Sequence, residues 1–448
     1  YIFNSLITLE TSRKKPHSCE LSYDDLKPDI TCEETTFNKT IEVDHFLKLG
    51  PGYEDMAFVY FEEGIAKKDS GDYSGAISDF NKVIELNPEY EDEDIYRYRG
   101  YTKIELKDYS GAISDFNKAI ELDPQNEHTY FDRGIAKGKL EDYSGAISDF
   151  NKVIELNPEY EDEDIYRYRG YTKIELKDYS GAISDFNKAI ELDPQNEYML
   201  FERGIAKRKL EDYSGAISDF TKVFELNPDF EFEEEAIFLN WGIAKVGLED
   251  YSGAIFYFSL AIEHDPENAS AYDCRGISKI ELKDYSGAIL DFNKVIELDP
   301  QNADMYLNRG AAKVGLEDHS GAILDFNKAI ELDPQNEIMY LNRGAAKVGL
   351  EDLSGAILDF NKVIELNPEN ASAYYCRGIS KRELKDYSGA ILDFNKVIEL
   401  NPENASAYYN RGISKDESGD IKGTCEDWKK AAELGDEDAA KLLEEHCE

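Results

Sequence analysis

Apolar and small residues recur along this chain at the three- and four-residue spacing of a helix that buries one face. Within residues 303–336, a first stretch carries this stripe at Tyr306, Leu307, Gly310, Ala311 and Val314. A second stretch carries it at Ala322, Ile323, Phe326 and Ile330. Asp318 is placed to cap the second stretch, and Asp333-Pro334 ends the unit because proline disfavours a helical conformation in the residue before it. The pattern predicts two antiparallel helices joined by a short turn.

The same unit repeats through most of the sequence. Its marker glycine stands at positions 75, 111, 145, 181, 215, 253, 287, 321, 355, 389 and 423, which gives eleven repeats with a prevailing period of 34 residues. Residues 72–127 recur letter for letter at 142–197. We number the positions of each repeat from 1 to 34, so that Ala303 is position 1 and Asn336 is position 34 of the unit described above. The marker glycine falls in the first turn of the second helix, where it costs up to ~1 kcal/mol of helix propensity, and the sequence offers no reason for it.

The unit resembles the tetratricopeptide repeat. The resemblance rests on Tyr306, Gly310, Ala322, Phe326, Ala329 and Pro334, and similar residues recur at these positions in nearly every unit. It implies an all-α fold, a right-handed superhelical solenoid of antiparallel helix pairs, in a long array of the bacterial type. It also implies a scaffold that binds other proteins.

The repeats occupy residues 57–438 in this interpretation. The last repeat departs from the pattern at Thr424, Trp428 and Asp436, which favours a further helix over about 437–445, so that residues 439–448 continue a C-terminal capping helix. Residues 33–56 are interpreted as a decayed repeat or a capping helix. Residues 1–32 are expected to be irregular or disordered.

Composition narrows the function. The formal net charge of −44 disfavours nucleic acid and direct lipid binding, and it suits either a partner with basic flanks or simple solubility. The six cysteines form no CxxC pair, so we expect free thiols in a reducing compartment, with Cys19–Cys32 pairing as the alternative if the chain is exported. A cytoplasmic location is expected, with export or a lost N-terminal anchor as the alternative. The sequence does not indicate the oligomeric state.

Catalytic chemistry finds no support in the sequence. No HExxH, GxSxG or GxxxxGK[ST] motif occurs, and we expect no enzyme activity, metal or cofactor. Two charges recur, Arg at position 7 in nine repeats and Asp at position 23 in ten. Repeat six changes both together, to Trp241 and Tyr257, which predicts that the two positions touch. We interpret this pair as part of the scaffold, exposed and worth under ~1 kcal/mol.

The family resemblance implies that positions 2, 5, 9 and 12 of the first helices line a concave groove. Position 5 varies between aromatic, Arg, Leu and Asp while its surroundings stay constant, as a binding surface would. Arg97 with Tyr101, and Arg167 with Tyr171, are candidates for gripping a carboxylate. The candidate partner-binding residues are Arg97, Tyr101, Phe131, Ile135, Arg167, Tyr171, Phe201, Leu239, Leu307, Leu341, Tyr375 and Tyr409. The expected function is a scaffold that holds a protein or peptide segment in this groove; the alternative is a regulatory or adaptor part of a larger complex, membrane-anchored or exported.

Overall fold

The computed structural model describes residues 54–86, 92–158, 162–227 and 234–447. These residues form 23 α-helices and no strand, so the predicted all-α class is confirmed. Consecutive helices pack as antiparallel pairs, one pair for each sequence repeat. The expectations for residues 1–32, and for nearly all of residues 33–56, lie outside the described residues.

The helices up to Leu226 belong to one compact unit, here called the N-terminal unit. In each repeat an odd-numbered first helix is followed by an even-numbered second helix. The bounds are α1 Glu54–Asp69, α2 Tyr73–Leu86, α3 Glu93–Glu105, α4 Tyr109–Leu122, α5 Glu127–Lys139, α6 Tyr143–Leu156, α7 Glu163–Glu175, α8 Tyr179–Leu192, α9 Glu197–Lys209 and α10 Tyr213–Leu226.

The helices from Glu234 onward belong to a second compact unit, the C-terminal unit. It holds repeats six to eleven and a closing helix. The bounds are α11 Glu234–Gly247, α12 Tyr251–His264, α13 Ala269–Glu281, α14 Tyr285–Leu298, α15 Ala303–Gly315, α16 His319–Leu332, α17 Glu337–Gly349, α18 Leu353–Leu366, α19 Ala371–Glu383, α20 Tyr387–Leu400, α21 Ala405–Glu417, α22 Ile421–Glu433 and α23 Glu437–His446.

The marker glycine makes room for the cap of the second helix. In α16 the backbone N–H of Gly321 donates to the Asp318 carboxylate at 3.0 Å. A Cβ at Gly321 would lie 2.1 Å from the other Asp318 oxygen, so any larger residue would push the cap aside. An Asp cap is worth about 1 kcal/mol, which offsets the helix propensity that glycine loses.

A ring of the second helix fills the space left by the glycine at position 8. A Cβ at Gly310 would lie 2.6 Å from the ring of Phe326, whose side chain is fully buried. The equivalent phenylalanine is fully buried in every repeat from the first to the tenth, and Trp428 takes its place in the last.

The turn between the two helices of a repeat contains a residue in the left-handed conformation. Glu317 has a φ of 62°, and eight other lysines or glutamates at equivalent positions have φ between 58° and 66°. Repeats one and eleven place Gly71 and Gly419 there, with φ of 82° and 89°. Glycine adopts this conformation without steric cost, whereas lysine and glutamate adopt it with backbone strain.

Candidate functional site

The recurring Arg and Asp residues contact each other in an ionic network, and that contact is what their coordinated exchange in repeat six predicted. Arg309 donates to the Asp325 carboxylate from Nε at 3.0 Å and from Nη2 at 2.6 Å. Lys313 lies 2.7 Å from the same carboxylate. Arg309 also donates to Asn293 of the preceding repeat at 2.7 Å, so the network ties neighbouring repeats together.

One expectation about this network is corrected and another is confirmed. The Asp325 side chain is only 6% exposed, so the expectation of an exposed pair was wrong: the second helix turns position 23 toward the first helix. In repeat six Trp241 stacks on Tyr257 with ring centroids 4.4 Å apart, which confirms the predicted contact. Repeat one lacks the arginine, and there Lys67 pairs with Asp79 instead.

The two arginines proposed to grip a carboxylate are already engaged inside the scaffold. Arg97 donates from Nε to Asp132 of the next repeat at 2.9 Å. Arg167 lies 2.5 Å from Asp164 of its own helix. Each guanidinium therefore already faces a carboxylate of the chain itself, and a ligand carboxylate would have to displace it.

Many of the other candidate residues lie in the core. Ile135, Phe201, Leu239, Leu307 and Leu341 are all buried, with exposed fractions of 0–8%. Phe131, Tyr101, Tyr171, Tyr375 and Tyr409 are partly exposed. Phe131 is half-buried because its ring packs on Phe150 and Tyr168, at 5.9 Å and 5.4 Å between centroids. Position 5 thus contributes mostly to packing within and between repeats.

A large cavity opens instead along the first helices of repeats eight to eleven. Its volume is about 1230 Å³, more than most small-molecule pockets. Its floor is formed by positions 9 and 12 of successive first helices, together with the glycines that end α15 and α17. The apolar and small lining residues are Val314, Gly315, Ala345, Val348, Gly349, Leu353, Ile379, Tyr409 and Ile413.

The cavity has an acidic border. Glu317, Glu351, Glu383 and Glu417 line it, against the cations Arg382 and Lys385. Arg382 is turned inward by its own partners, since it donates to Asn410 at 2.5 Å and to Glu383 at 2.7 Å. The remaining glutamates leave the border with excess negative charge, which favours a cationic ligand.

Of the twelve candidate residues, Tyr409 lines the cavity, and Tyr375 contacts Asn410, which also lines it. The Asn410 amide on α21 donates to the Tyr375 hydroxyl on α19 at 3.0 Å. Burial is the main reason that the pKa of Tyr375 rises to about 12, so this phenol stays neutral and holds Asn410 in place. Sequence reasoning gave priority to position 5. Position 13, the last residue of each of these first helices, and position 15 in the turn were missed, although the charges recurring there were a usable signal.

One carboxyl group of repeat seven is buried without a cation. Asp273 is 5% exposed, and its Oδ1 has no hydrogen-bond partner. Burial, with a contribution from the Asp304 carboxylate, raises the pKa of Asp273 to about 7, while a hydrogen bond from Asn308 opposes the rise. Asp273 is therefore close to half-protonated near neutral pH.

The expectation of free thiols was wrong at the C-terminal end. Cys425 in α22 and Cys447 after α23 form a disulfide, with Cα atoms 5.7 Å apart. Cys274 is disulfide-bonded as well. The closing helix folds back along α22 and brings together two cysteines that are 22 residues apart in sequence, a proximity that spacing alone does not reveal. Persistent disulfides are typical of oxidising compartments.

Within the described ranges, no group of three or more His, Cys, Asp or Glu side chains could hold a metal ion. Among the helices of that same part of the chain, none is long and apolar enough to cross a membrane.

Family models match the repeats along the chain. A model described as "TPR repeat" matches residues 278–316 and 380–415. Two models described as "Tetratricopeptide repeat" match residues 93–126 and 163–196, and residues 59–90, 127–160, 198–230, 303–336 and 338–370. The chain belongs to the tetratricopeptide repeat family, and its character is that of a protein-interaction scaffold.

Several solved structures are similar to parts of the chain. The MamA protein is 28% identical over 39% of this chain and 96% of its own, with a TM-score of 0.36. The TPR protein YrrB, titled as having an unusual peptide-binding site, is 25% identical over 42% of this chain and 97% of its own, with a TM-score of 0.38. The C-terminal part of a TPR repeat-containing protein from Cytophaga hutchinsonii is 21% identical over 55% of this chain and 98% of its own, with a TM-score of 0.49. No curated protein matches the sequence.

Proposed function

We propose that this chain holds an extended or helical segment of another protein in the cavity of repeats eight to eleven. The observation that carries the proposal is the cavity itself, about 1230 Å³ in volume, with an apolar floor and an acidic border. Its floor suits apolar side chains, which usually dominate the energy of such interfaces. Its border suits Lys or Arg residues that flank those anchors.

Charge has a separate role in this proposal. The net charge of −44 and the glutamates at the border attract a basic segment from a distance and so raise the association rate. Screening limits that attraction to ~8 Å at physiological ionic strength. Added salt should therefore slow association, while the dissociation rate should depend mainly on the apolar floor.

The test fills the cavity without removing a core residue. Ala345 lies on the floor and is partly exposed, and Ile379 and Ile413 occupy the equivalent position in the next two repeats. Ala345→Trp should therefore occupy the binding space with little damage to the fold. The matched control is Ser354→Trp, which adds the same bulk at an exposed position of α18 in the same repeat.

The probe is a set of peptides selected by display against the full chain, with affinity measured by fluorescence anisotropy. We expect Ala345→Trp to raise Kd at least ~10-fold, because a lost apolar anchor is worth more than 1.4 kcal/mol. Ser354→Trp should leave Kd unchanged. Equal affinities for the wild type and Ala345→Trp would place the binding surface elsewhere.

A further inference from the structure

A row of exposed apolar side chains runs along the second helices of the C-terminal unit. Position 22 holds Phe256 in repeat six, 58% exposed, and leucine in the next four repeats. These are Leu290, Leu324, Leu358 and Leu392, each 68–70% exposed. We call these five residues the leucine row. It lies on the second helices, whereas the cavity described above is lined mainly by the first helices and the turns that follow them.

The rest of the chain keeps this position polar. Repeats one to five hold Ser78, Ser114, Ser148, Ser184 and Ser218 there, all exposed, and repeat eleven holds Glu426. Packing therefore does not require an apolar residue at position 22. A confined run of five apolar residues, bounded on both sides by polar ones, marks an interaction surface rather than a property of the repeat.

The surroundings of the four leucines are electrically neutral. One turn beyond each leucine, a lysine pairs with a glutamate on the same helix: Lys294–Glu297, Lys328–Glu331, Lys362–Glu365 and Lys396–Glu399, at 2.6–3.3 Å. The aspartate next to each leucine is buried against its Arg and Lys partners. In a chain of net charge −44, this neutral face is where a second, equally acidic copy can approach at low electrostatic cost.

We propose that the leucine row joins two copies of this chain as a symmetric dimer. A two-fold interface requires one patch that complements itself. The row does so if the axis passes at its middle member: Leu324 then faces Leu324, Leu290 faces Leu358, and Phe256 faces Leu392. About this axis, each side chain of the row has an apolar counterpart in the second copy.

The apolar area is sufficient for such a dimer. Five side chains exposed by 58–70% present roughly 500 Å² of apolar surface on each copy, on ordinary side-chain areas. With the neutral Lys and Glu border added, the total buried by two copies falls within the ~1,200–2,000 Å² of stable interfaces.

The chain itself supplies the test variant. Substituting Leu290, Leu324, Leu358 and Leu392 with serine installs the residue that the first five repeats carry at this position. The matched control substitutes Leu282, Leu316, Leu350 and Leu384 with serine, four leucines of the inter-helix turns that are 47–50% exposed in the same unit. Circular dichroism melting establishes that both variants fold.

Sedimentation velocity of the full chain over a range of concentrations gives the dimer Kd. We expect the wild type to dimerise, the row variant to raise Kd at least ~100-fold, and the control to stay within a few fold of the wild type. Added salt should strengthen the dimer, because it screens the repulsion between two acidic copies. A wild type that stays monomeric at every concentration, or a dimer that survives the row substitution, would overturn the proposal.

A cross-link tests the symmetry separately. Leu324→Cys places a thiol beside its own counterpart at the two-fold axis, so mild oxidation should yield a disulfide-linked band of doubled mass. Ser148→Cys places a thiol at the same repeat position outside the row and should give no more of that band than the wild type. A dimer without the Leu324→Cys band, or equal bands for the two variants, would contradict this arrangement.

Discussion

Removing Arg309 from the ionic network should destabilise repeat eight far more than replacing both Arg309 and Asp325 with the aromatic pair found in repeat six. The Asp325 carboxylate accepts from Arg309 at 3.0 Å and 2.6 Å and lies 2.7 Å from Lys313. Breaking a buried ion pair by removing one partner costs ~3–5 kcal/mol. Because Lys313 remains in Arg309→Ala, we expect a loss of about 2–4 kcal/mol in the local free energy of unfolding.

The exchange is already present in the chain. Repeat six replaces the pair with Trp241 stacked on Tyr257, at 4.4 Å between centroids. Arg309→Trp should therefore be costly alone, because it leaves Asp325 with Lys313 only. Combined with Asp325→Tyr it should recover ~1–3 kcal/mol as coupling energy between contacting residues.

Hydrogen exchange with mass spectrometry is the suitable assay, since a repeat array need not unfold in two states. The amides of α16 report the local free energy of unfolding. It is measured for the wild type, Arg309→Ala, Arg309→Trp, Asp325→Tyr and the double variant Arg309→Trp with Asp325→Tyr. Lys328→Ala is the control, because it removes an exposed pair with Glu331 on the same helix and should change little. Single variants that lose less than ~1 kcal/mol, or a double variant that loses the sum of both, would refute a buried and mutually dependent pair.

The remaining predictions concern packing, backbone and pH. Gly310→Leu should cost ~1–3 kcal/mol or more, since even a Cβ there meets the Phe326 ring, and loss of protection should be greatest in repeats seven to nine by hydrogen exchange. Glu317→Gly should stabilise its repeat by ~0.5–1 kcal/mol in the same assay, because glycine adopts a positive φ without strain. Glu317 has a φ of 62°, and the last repeat has Gly419 at the equivalent position with a φ of 89°. Burial raises the pKa of Asp273 from 3.8 to about 7, so the folded state binds a proton that the unfolded state has released. Stability should therefore fall between pH 4 and pH 7, and Asp273→Asn should remove that fall and melt higher at pH 8; an unchanged pH dependence would contradict the assignment.

The fold followed from the sequence because each repeat states it again. Apolar spacing and the Asp cap agree in all eleven repeats and the terminal proline in ten. The exchange at Trp241 and Tyr257 revealed a contact that no single repeat could show. The role of Gly321 could not be predicted from the sequence. A Cβ at this position would lie 2.1 Å from an Asp318 carboxylate oxygen, and that distance depends on the folded geometry of the cap. The disulfide of Cys425 was missed because the closing helix reverses direction.

The candidate site was harder to predict than the fold. Variation at position 5 was interpreted as a binding surface, but Phe201 and Leu239 vary while buried, since each packs against a different neighbour. The cavity is lined by small residues of two successive first helices, Gly315 at the end of α15 and Ala345 and Gly349 on α17. The small residues themselves are visible in the sequence. That they lie side by side and leave a cavity can be recognised only once the relative placement of neighbouring repeats is known.

The central claim is that the cavity of repeats eight to eleven holds a protein segment, and the most direct measurement maps where such a segment lies. A display-selected peptide would carry a photoreactive benzophenone at its apolar anchor, be cross-linked to the full chain, and have its attachment site identified by mass spectrometry. We predict attachment within α17, α19 and α21, at residues around Ala345, Ile379 and Ile413, and loss of it in Ala345→Trp. Attachment to the second helices or to the N-terminal unit, unaffected by Ala345→Trp, would contradict the account.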